Sequence, residues 1–447
     1  MAPKGSDIKP GVRSPRVFFG WWTVVTGGLL ALWAEGYFSY GFSALFKPIS
    51  SELGFSRAVT SVATSIIRLE GAIEAPLAGW ITDRFGPRWI VVAGVATMSL
   101  GLVLMNYIDS LWSFYLAWGV VFGSGFMLSV HLPMDTAISN WFVRKRGTAL
   151  SVRMAFSGMS GVLVMPLVAW LITVQGWRMT CVIGGLVLAV VFLPMAWLSL
   201  RTHRPEYYGL LPDGAAVRDE TVADARHMID RGVEYAGALE EVEFTLREAM
   251  KTPAYWLLLV SQGIHALAAS AINVHCIPFL TDMDIDSLKA AGMMAMMVAA
   301  SIPLRPVTGY LADRLSRGNL RVLVAAAYLL QTGGLAVFLL NQTVPAVYAW
   351  FVLYGMGMGM GWTVASPVRA RYFGRKAFGS IGGSSMLFVT PLAVAAPVYL
   401  GWVYDTSSSY TVGFTVLAVL LAAATVLALF IVPPKRPGRA SDIRRII

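Results

Sequence analysis

Charge is scarce in this chain. Asp, Glu, Lys and Arg make up 13% of its 447 residues, where a soluble domain carries about 25%. That excludes an ordinary water-soluble fold over most of the length. Cysteine is nearly absent. Cys181 and Cys276 both fall in apolar runs, so no disulfide framework holds the fold. The sequence also lacks a Walker-type phosphate loop, an HExxH pair and a GxSxG turn, the local geometries that nucleotide hydrolysis, zinc proteolysis and acyl transfer require. ATP-driven pumping and membrane-bound catalysis are therefore disfavoured. The chain reads as a non-enzyme with no cofactor. The histidines lack the i, i+4 spacing that would bind a metal from one helix face. The first residues, Met1 to Arg16, are polar and basic. They have no apolar stretch before a small-residue cleavage site, so no cleaved signal peptide is expected.

What the chain has instead is apolar length. Hydrophobic residues make up 56% and the mean hydropathy is +0.64. A helix needs roughly 20 apolar residues to cross a bilayer, and backbone polar groups in lipid must be satisfied within the segment. The apolar runs predict twelve spans, near 18–45, 58–81, 89–108, 112–137, 148–173, 179–200, 253–280, 290–311, 322–341, 345–368, 379–402 and 410–432. The fold class is an all-α membrane protein.

The net charge of +10 would suit nucleic acid, but its distribution argues against that partner. Most Lys and Arg fall in the segments that share a side with the termini. Only Lys47, Arg57, Arg178 and Lys289 fall on the other side, and Arg68, Arg153 and Arg305 lie within spans. By the positive-inside rule both termini are expected in the cytoplasm. A multi-pass protein of a cell membrane results, with a bacterial inner membrane the expected location and a monomer the expected state.

The sequence repeats itself. Gly79-Trp80-Ile81-Thr82-Asp83-Arg84 closes the second span, and Gly309-Tyr310-Leu311-Ala312-Asp313-Arg314 closes the eighth, about 230 residues on. Trp141-Phe142 before the fifth span and Tyr372-Phe373 before the eleventh keep nearly that spacing, as do Trp22 and Trp256 at the first and seventh. Two parallel six-helix halves follow, 1–200 and 253–447, joined by a polar linker over 201–252. Such parallel repeats bind substrate near the midplane between the halves. The end of the linker, with Glu240, Glu241 and Glu243 and with Val242, Leu246 and Met250 at helical spacing, predicts an interfacial helix leading into the seventh span.

Gly79-x-x-x-Asp83-Arg84-x-Gly86-x-Arg88 resembles the loop motif that follows the second helix of the major facilitator superfamily. Asp313 and Arg314 belong to its partial copy. In that motif Gly79 would allow close helix packing, Asp83 would cap a helix end, and Arg84 and Arg88 would hold the loop at a basic face. A cluster of this kind can latch one conformer through contacts that break in the other. Within the superfamily, Gly20-Trp21-Trp22-Thr23-Val24, Phe46-Lys47-Pro48-Ile49, Arg305-Pro306-x-x-Gly309 and Tyr372 through Gly379 resemble the monocarboxylate and oxalate branch. The resemblance implies alternating access and a small organic anion as substrate, with protons as the second partner.

Ionisable residues inside spans are costly and are the candidate site. Arg305 stands eight residues before Asp313 and matches the arginine that holds the substrate carboxylate in that branch; a guanidinium can grip a carboxylate through two parallel hydrogen bonds. Glu70 and Glu74 share one face of the second span, and Arg68 points elsewhere. Two adjacent carboxyls in low dielectric do not both ionise easily, which suits proton coupling. Pairing with arginines on other helices, Arg153 among them, is the structural alternative. Glu35, near Trp33, Tyr37 and Tyr40, is either a protonation site or a hydrogen-bonded structural acid. Asp135 and Arg153 read as a structural or gating pair. Tyr40, Tyr354 and His275 are further substrate-contact candidates, with a helix–helix contact the plainer reading for His275. The branch's aspartate one turn before the arginine is Ser301 here, and no span carries a lysine at its middle. Proton coupling would then fall to Glu35, Glu70 or Glu74, and Arg68 would supply a second positive charge. Efflux of amphipathic or neutral compounds is the alternative function, suited by the methionines at 293–297 and 356–360.

Overall fold

The computed structural model describes residues 17–54, 57–215, 231, 232, 235 and 242–435. Among the described residues, twelve long helices cross in alternating directions, in two groups of six. We number them in chain order. Helix α1 runs Gly20–Glu35, widens through a π turn at Gly36–Gly41 and continues as Phe42–Glu52. Helix α2 is Arg57–Phe85 and α3 is Pro87–Leu104. Helix α4 is assembled from Leu111–Phe114, a π stretch Tyr115–Phe122, Gly123–Ser129 and Leu132–Trp141. One continuous stretch, Arg146–Ser199, holds α5 and α6, which part at Gly176, where φ is +76°. The second six are α7 Pro253–Asp282, α8 Ser287–Arg314, α9 Leu320–Leu340, α10 Val344–Phe373, α11 Phe378–Ser407 and α12 Thr411–Leu429.

Eight stretches are long and apolar enough to span a bilayer by composition, one of them the double-length Arg146–Ser199. Helix α2 carries Arg68, Glu70 and Glu74, which lower its hydropathy although it is as long as its neighbours. The apolar exterior fits a lipid solvent: Trp112, Leu198, Val398 and Leu340 are largely exposed, where a soluble protein would keep such side chains inside. Each group of six packs its own interior. One cluster gathers residues from Val24 to Leu200, and two others gather residues from Val242 to Ile431.

Both described chain ends and the linker lie on one face, called here the linker face. Linker residues stitch to both groups of helices. Asp213 accepts from the backbone N–H groups of Val143, Arg144 and Lys145 at 3.2, 2.8 and 2.9 Å. Glu206 pairs with Arg375 at 3.3 Å. The interfacial helix predicted before α7 is shorter than the periodicity of Val242, Leu246 and Met250 suggests. Residues 242–245 are extended, Phe244 donates its N–H to Phe373 O at 2.9 Å, and only Leu246–Met250 is helical. Thr245 and Glu248 form a reciprocal cap that starts the helix there and satisfies two otherwise orphan donors. Those hydrogen bonds from Thr245 hold the Glu248 carboxyl below its usual range. Glu240 and Glu241 lie outside the described residues.

Candidate functional site

The first polar centre grows from a break in α4. The helix stops at Ser129 and restarts at Leu132, with His131 between at φ −97° and ψ −104°. Pro133, second in the new segment, has no N–H to give, so carbonyls at the break lack helical partners. Arg153 on α5 supplies one, donating Nη1–H to Val130 O at 2.8 Å. Its Nε stands 2.9 Å from Asp135 Oδ1, and both side chains are buried. Ser366 on α10 donates to Asp135 Oδ2 at 3.0 Å, which carries the network into the second group of helices. Asp135 and Ser366 stand one repeat apart, so repeat-related positions meet across the axis between the halves. Glu35 is not alone beside its aromatic neighbours. It accepts from Ser39 Oγ, and His131 Nε2 lies 3.6 Å from its Oε1.

The second centre is on α2. Glu70 and Glu74 face α4 and share Ser124, whose Oγ lies 2.6 Å from Glu70 Oε1 and 3.0 Å from Glu74 Oε1. Their partner is therefore a hydroxyl and not Arg153. A serine has one proton to donate. Both contacts are hydrogen bonds at once only when one carboxyl carries a proton and donates it to Ser124 Oγ.

The third is Arg305 on α8, which meets α5. Its Nη1–H donates to Met154 O at 2.8 Å, and the guanidinium lies against Gly158, where a Cβ would stand 2.9 Å from its central carbon. Eight residues of helix, about 12 Å, separate Arg305 from Asp313 at the linker face. The side chains of Arg68 and Tyr40 lie outside the described residues. Tyr354 is fully buried in an apolar cluster with Trp350 and Phe351. His275 uses both ring nitrogens, at 3.2 Å from Tyr410 Oη and 2.8 Å from Pro397 O. It fastens α7 to α11 and α12.

At the linker face the halves are latched by four reciprocal contacts. Helix α11 begins without a side-chain cap of its own, its N-cap being Ala377, and α5 begins likewise at Lys145. Their first N–H groups would be orphans. Asp83, from the end of α2, accepts from Gly379 N at 3.0 Å, Ser380 N at 2.7 Å and Ser380 Oγ at 2.6 Å. Asp313, from the end of α8, accepts from Gly147 N at 2.6 Å, Thr148 N at 2.7 Å and Thr148 Oγ1 at 2.6 Å. Each aspartate thus caps a helix of the opposite half, with its charge at the positive end of that helix. Two buried arginines treat helix C-termini in the same way. Arg146 donates to Ala370 O at 3.0 Å and Arg375 to Asn140 O at 3.1 Å.

Glycines permit these crossings. A Cβ on Gly79 would fall on Gly379 O, and one on Gly309 would fall on Gly147 O and Ser151. Away from the linker face α2 and α11 part. An apolar cleft of about 650 Å³ opens between Leu69 and Ala72 on one side and Pro391, Val398 and Trp402 on the other. The rest of the motif shapes the turn after α2. Gly86 adopts φ +85°. Arg84 lies over Trp80 at 5.3 Å, Arg88 over Trp197 at 4.2 Å, and Arg314 over Tyr310 at 4.3 Å. Ser124, His131, Ser366, Arg146 and Arg375 were not singled out as functional in the sequence. The Asp135–Ser366 pair had one usable signal, its spacing of one repeat.

Comparison with known proteins agrees with this architecture. Monocarboxylate transporter 12 of Mus musculus is 24% identical over 435 residues, covering 94% of this chain and 87% of that protein. The oxalate:formate antiporter of Oxalobacter formigenes is 21% identical over 432 residues, covering 94% and 92%. A solved proton:xylose symporter superposes with a TM-score of 0.71 over 92% of this chain and 96% of its own, at 11% identity. These proteins are membrane transporters, and with residues 28–396 matching the Major Facilitator Superfamily as a family, the chain belongs to that superfamily.

Proposed function

We propose that this transporter moves small organic anions, monocarboxylates foremost, coupled to protons and by alternating access of the units 1–200 and 253–447. The observation that carries the reading is Arg305. Its charge stands between α5 and α8, at the junction of the halves, one half-membrane from the latch. A carboxylate arriving there can displace the Met154 carbonyl and take two N–H donors. The names of the monocarboxylate and oxalate relatives point to the same substrate class.

The linker face is the cytoplasmic face in this reading, because the basic loops gather there. Both termini are then cytoplasmic in a bacterial inner membrane, the protein acts as a monomer, and the conformation described is closed to the cytoplasm. Glu70 and Glu74, bridged by Ser124 with one carboxyl protonated, supply the proton site, and Glu35 with His131 is a second. Opening to the cytoplasm breaks the caps at Asp83 and Asp313 and uncovers Arg305 from the other side. The apolar cleft between α2 and α11 favours a second reading, export of amphipathic compounds that enter from lipid.

Proteoliposomes with an imposed pH gradient and a panel of labelled carboxylates and amphipathic cations test both readings. Arg305→Gln should abolish carboxylate uptake. Full uptake by that variant, or transport of the cations alone, overturns the anion reading.

A further inference from the structure

A second positive charge lies buried in the C-terminal half. The boundary 345–368 put Arg369 in a loop. The helix instead runs to Phe373, and Arg369 is 7% exposed. Among the described residues it makes no hydrogen bond and no ion pair; its ring neighbour is Phe378, 5.7 Å from the guanidinium carbon. A buried cation without an acceptor is expensive in a membrane.

Arg369 opens onto a cavity of about 20 Å³ that Tyr255, Gln262, Tyr328 and Ser385 also line, room for one water-sized particle. The hydroxyl protons of Ser384 and Ser385 both go to Ile381 O, at 3.0 and 2.8 Å. Tyr255 Oη and Ser384 Oγ pair with each other at 2.9 Å. Three polar side chains that line the cavity, the Arg369 guanidinium, the Gln262 amide and the Tyr328 hydroxyl, make no hydrogen bond among the described residues, and each can donate to a particle held there. No carboxylate lines the space. Asp135 across the interface, the acid whose charge reaches Arg369, is already held by Arg153 and Ser366. On the side of the N-terminal half, Leu132 of α4 packs with Ala370 and Phe378 and touches Gly382 beside Arg369 Nη1.

We propose that Arg369, Gln262 and Tyr328 form a second anion site, distinct from Arg305, for a monatomic monovalent anion, a halide. The anion supplies the acceptor that Arg369 lacks.

Thermal unfolding of purified protein at fixed ionic strength tests this, with chloride, bromide or formate replacing gluconate. Wild type and Arg305→Gln should both gain a saturable rise in Tm. A rise with halides and none with formate fits the one-particle cavity, and a rise with formate at a lower concentration than chloride overturns the halide assignment. Arg369→Gln should lose the rise, and Gln262→Leu and Tyr328→Phe should each raise the half-saturating concentration about tenfold. The proposal falls if wild type shows no rise beyond gluconate, or if Arg369→Gln keeps it. Should Arg369→Gln fail to fold, unchanged half-saturation in both other variants overturns it. Loss of the rise in Arg305→Gln would assign the anion to Arg305 and also overturn it.

Discussion

Removing the two aspartate caps should unlatch the linker face, by an amount that the geometry sets. Asp83 and Asp313 each accept three hydrogen bonds from the start of a helix that has no cap of its own. Losing a helix N-cap costs about 0.5–2 kcal/mol, and a hydrogen bond to a charged group contributes about 1.5–3 kcal/mol. In the open conformer the freed N–H groups and the aspartate are rehydrated, so the smaller range applies. About 1.5 kcal/mol per latch is close to a tenfold shift toward opening. The two latches lie on different helix pairs and share no partner, so Asp83→Ala with Asp313→Ala should shift the equilibrium about 100-fold. Spin labels at Arg144→Cys and Ser316→Cys report the separation of the halves on this face. Both native cysteines, Cys181 and Cys276, are buried, so background labelling is small. The expected result is a short-distance population that shrinks in each single variant and nearly disappears in the double. An unchanged distance distribution in the double variant would refute the cap account. So would a single variant that opens the face as far as the double.

Further outcomes follow from the same contacts. Gly79→Val should hold the face open, because its side chain collides with the α11 backbone at Gly379, and the same label pair would show only the long distance. Arg153→Met should cost about 3–5 kcal/mol by leaving Asp135 buried and unpaired, and adding Asp135→Leu should recover most of it; a chemical-denaturation cycle checks this. Glu70→Gln should reduce proton-driven uptake at least tenfold while sparing exchange of labelled substrate. Ser124→Ala should shift the pH dependence of uptake without abolishing it. Uptake by either variant with an unchanged pH profile would remove the Glu70–Ser124–Glu74 group from proton coupling.

The spans were legible because long apolar runs separated by basic loops leave few alternatives in a bilayer. The ends of α2 and α10 were less so. Both helices continue past their apolar stretch into a charged turn, and Arg369 was lost to a loop for that reason. The break at His131 carried one sequence signal, Pro133 two residues on, whose missing N–H interrupts a helix, and the span prediction ran through it on apolar length alone. Ser124 and Ser366 act across helices, on carboxylates 54 and 231 positions away, and no local pattern announces such a contact. Asp83 and Asp313 were visible as motif residues. That each caps the opposite half's helix follows only from their meeting Gly379–Ser380 and Gly147–Thr148 in space.

The central claim is that Arg305 holds the carboxylate. Equilibrium binding of a labelled monocarboxylate to purified protein tests it most directly, comparing wild type with Arg305→Lys and Arg305→Gln. A bidentate charged contact predicts a loss of 100-fold or more in Arg305→Gln, about 3 kcal/mol or more, with part of the affinity kept in Arg305→Lys. Binding by Arg305→Gln within twofold of wild type would contradict the account.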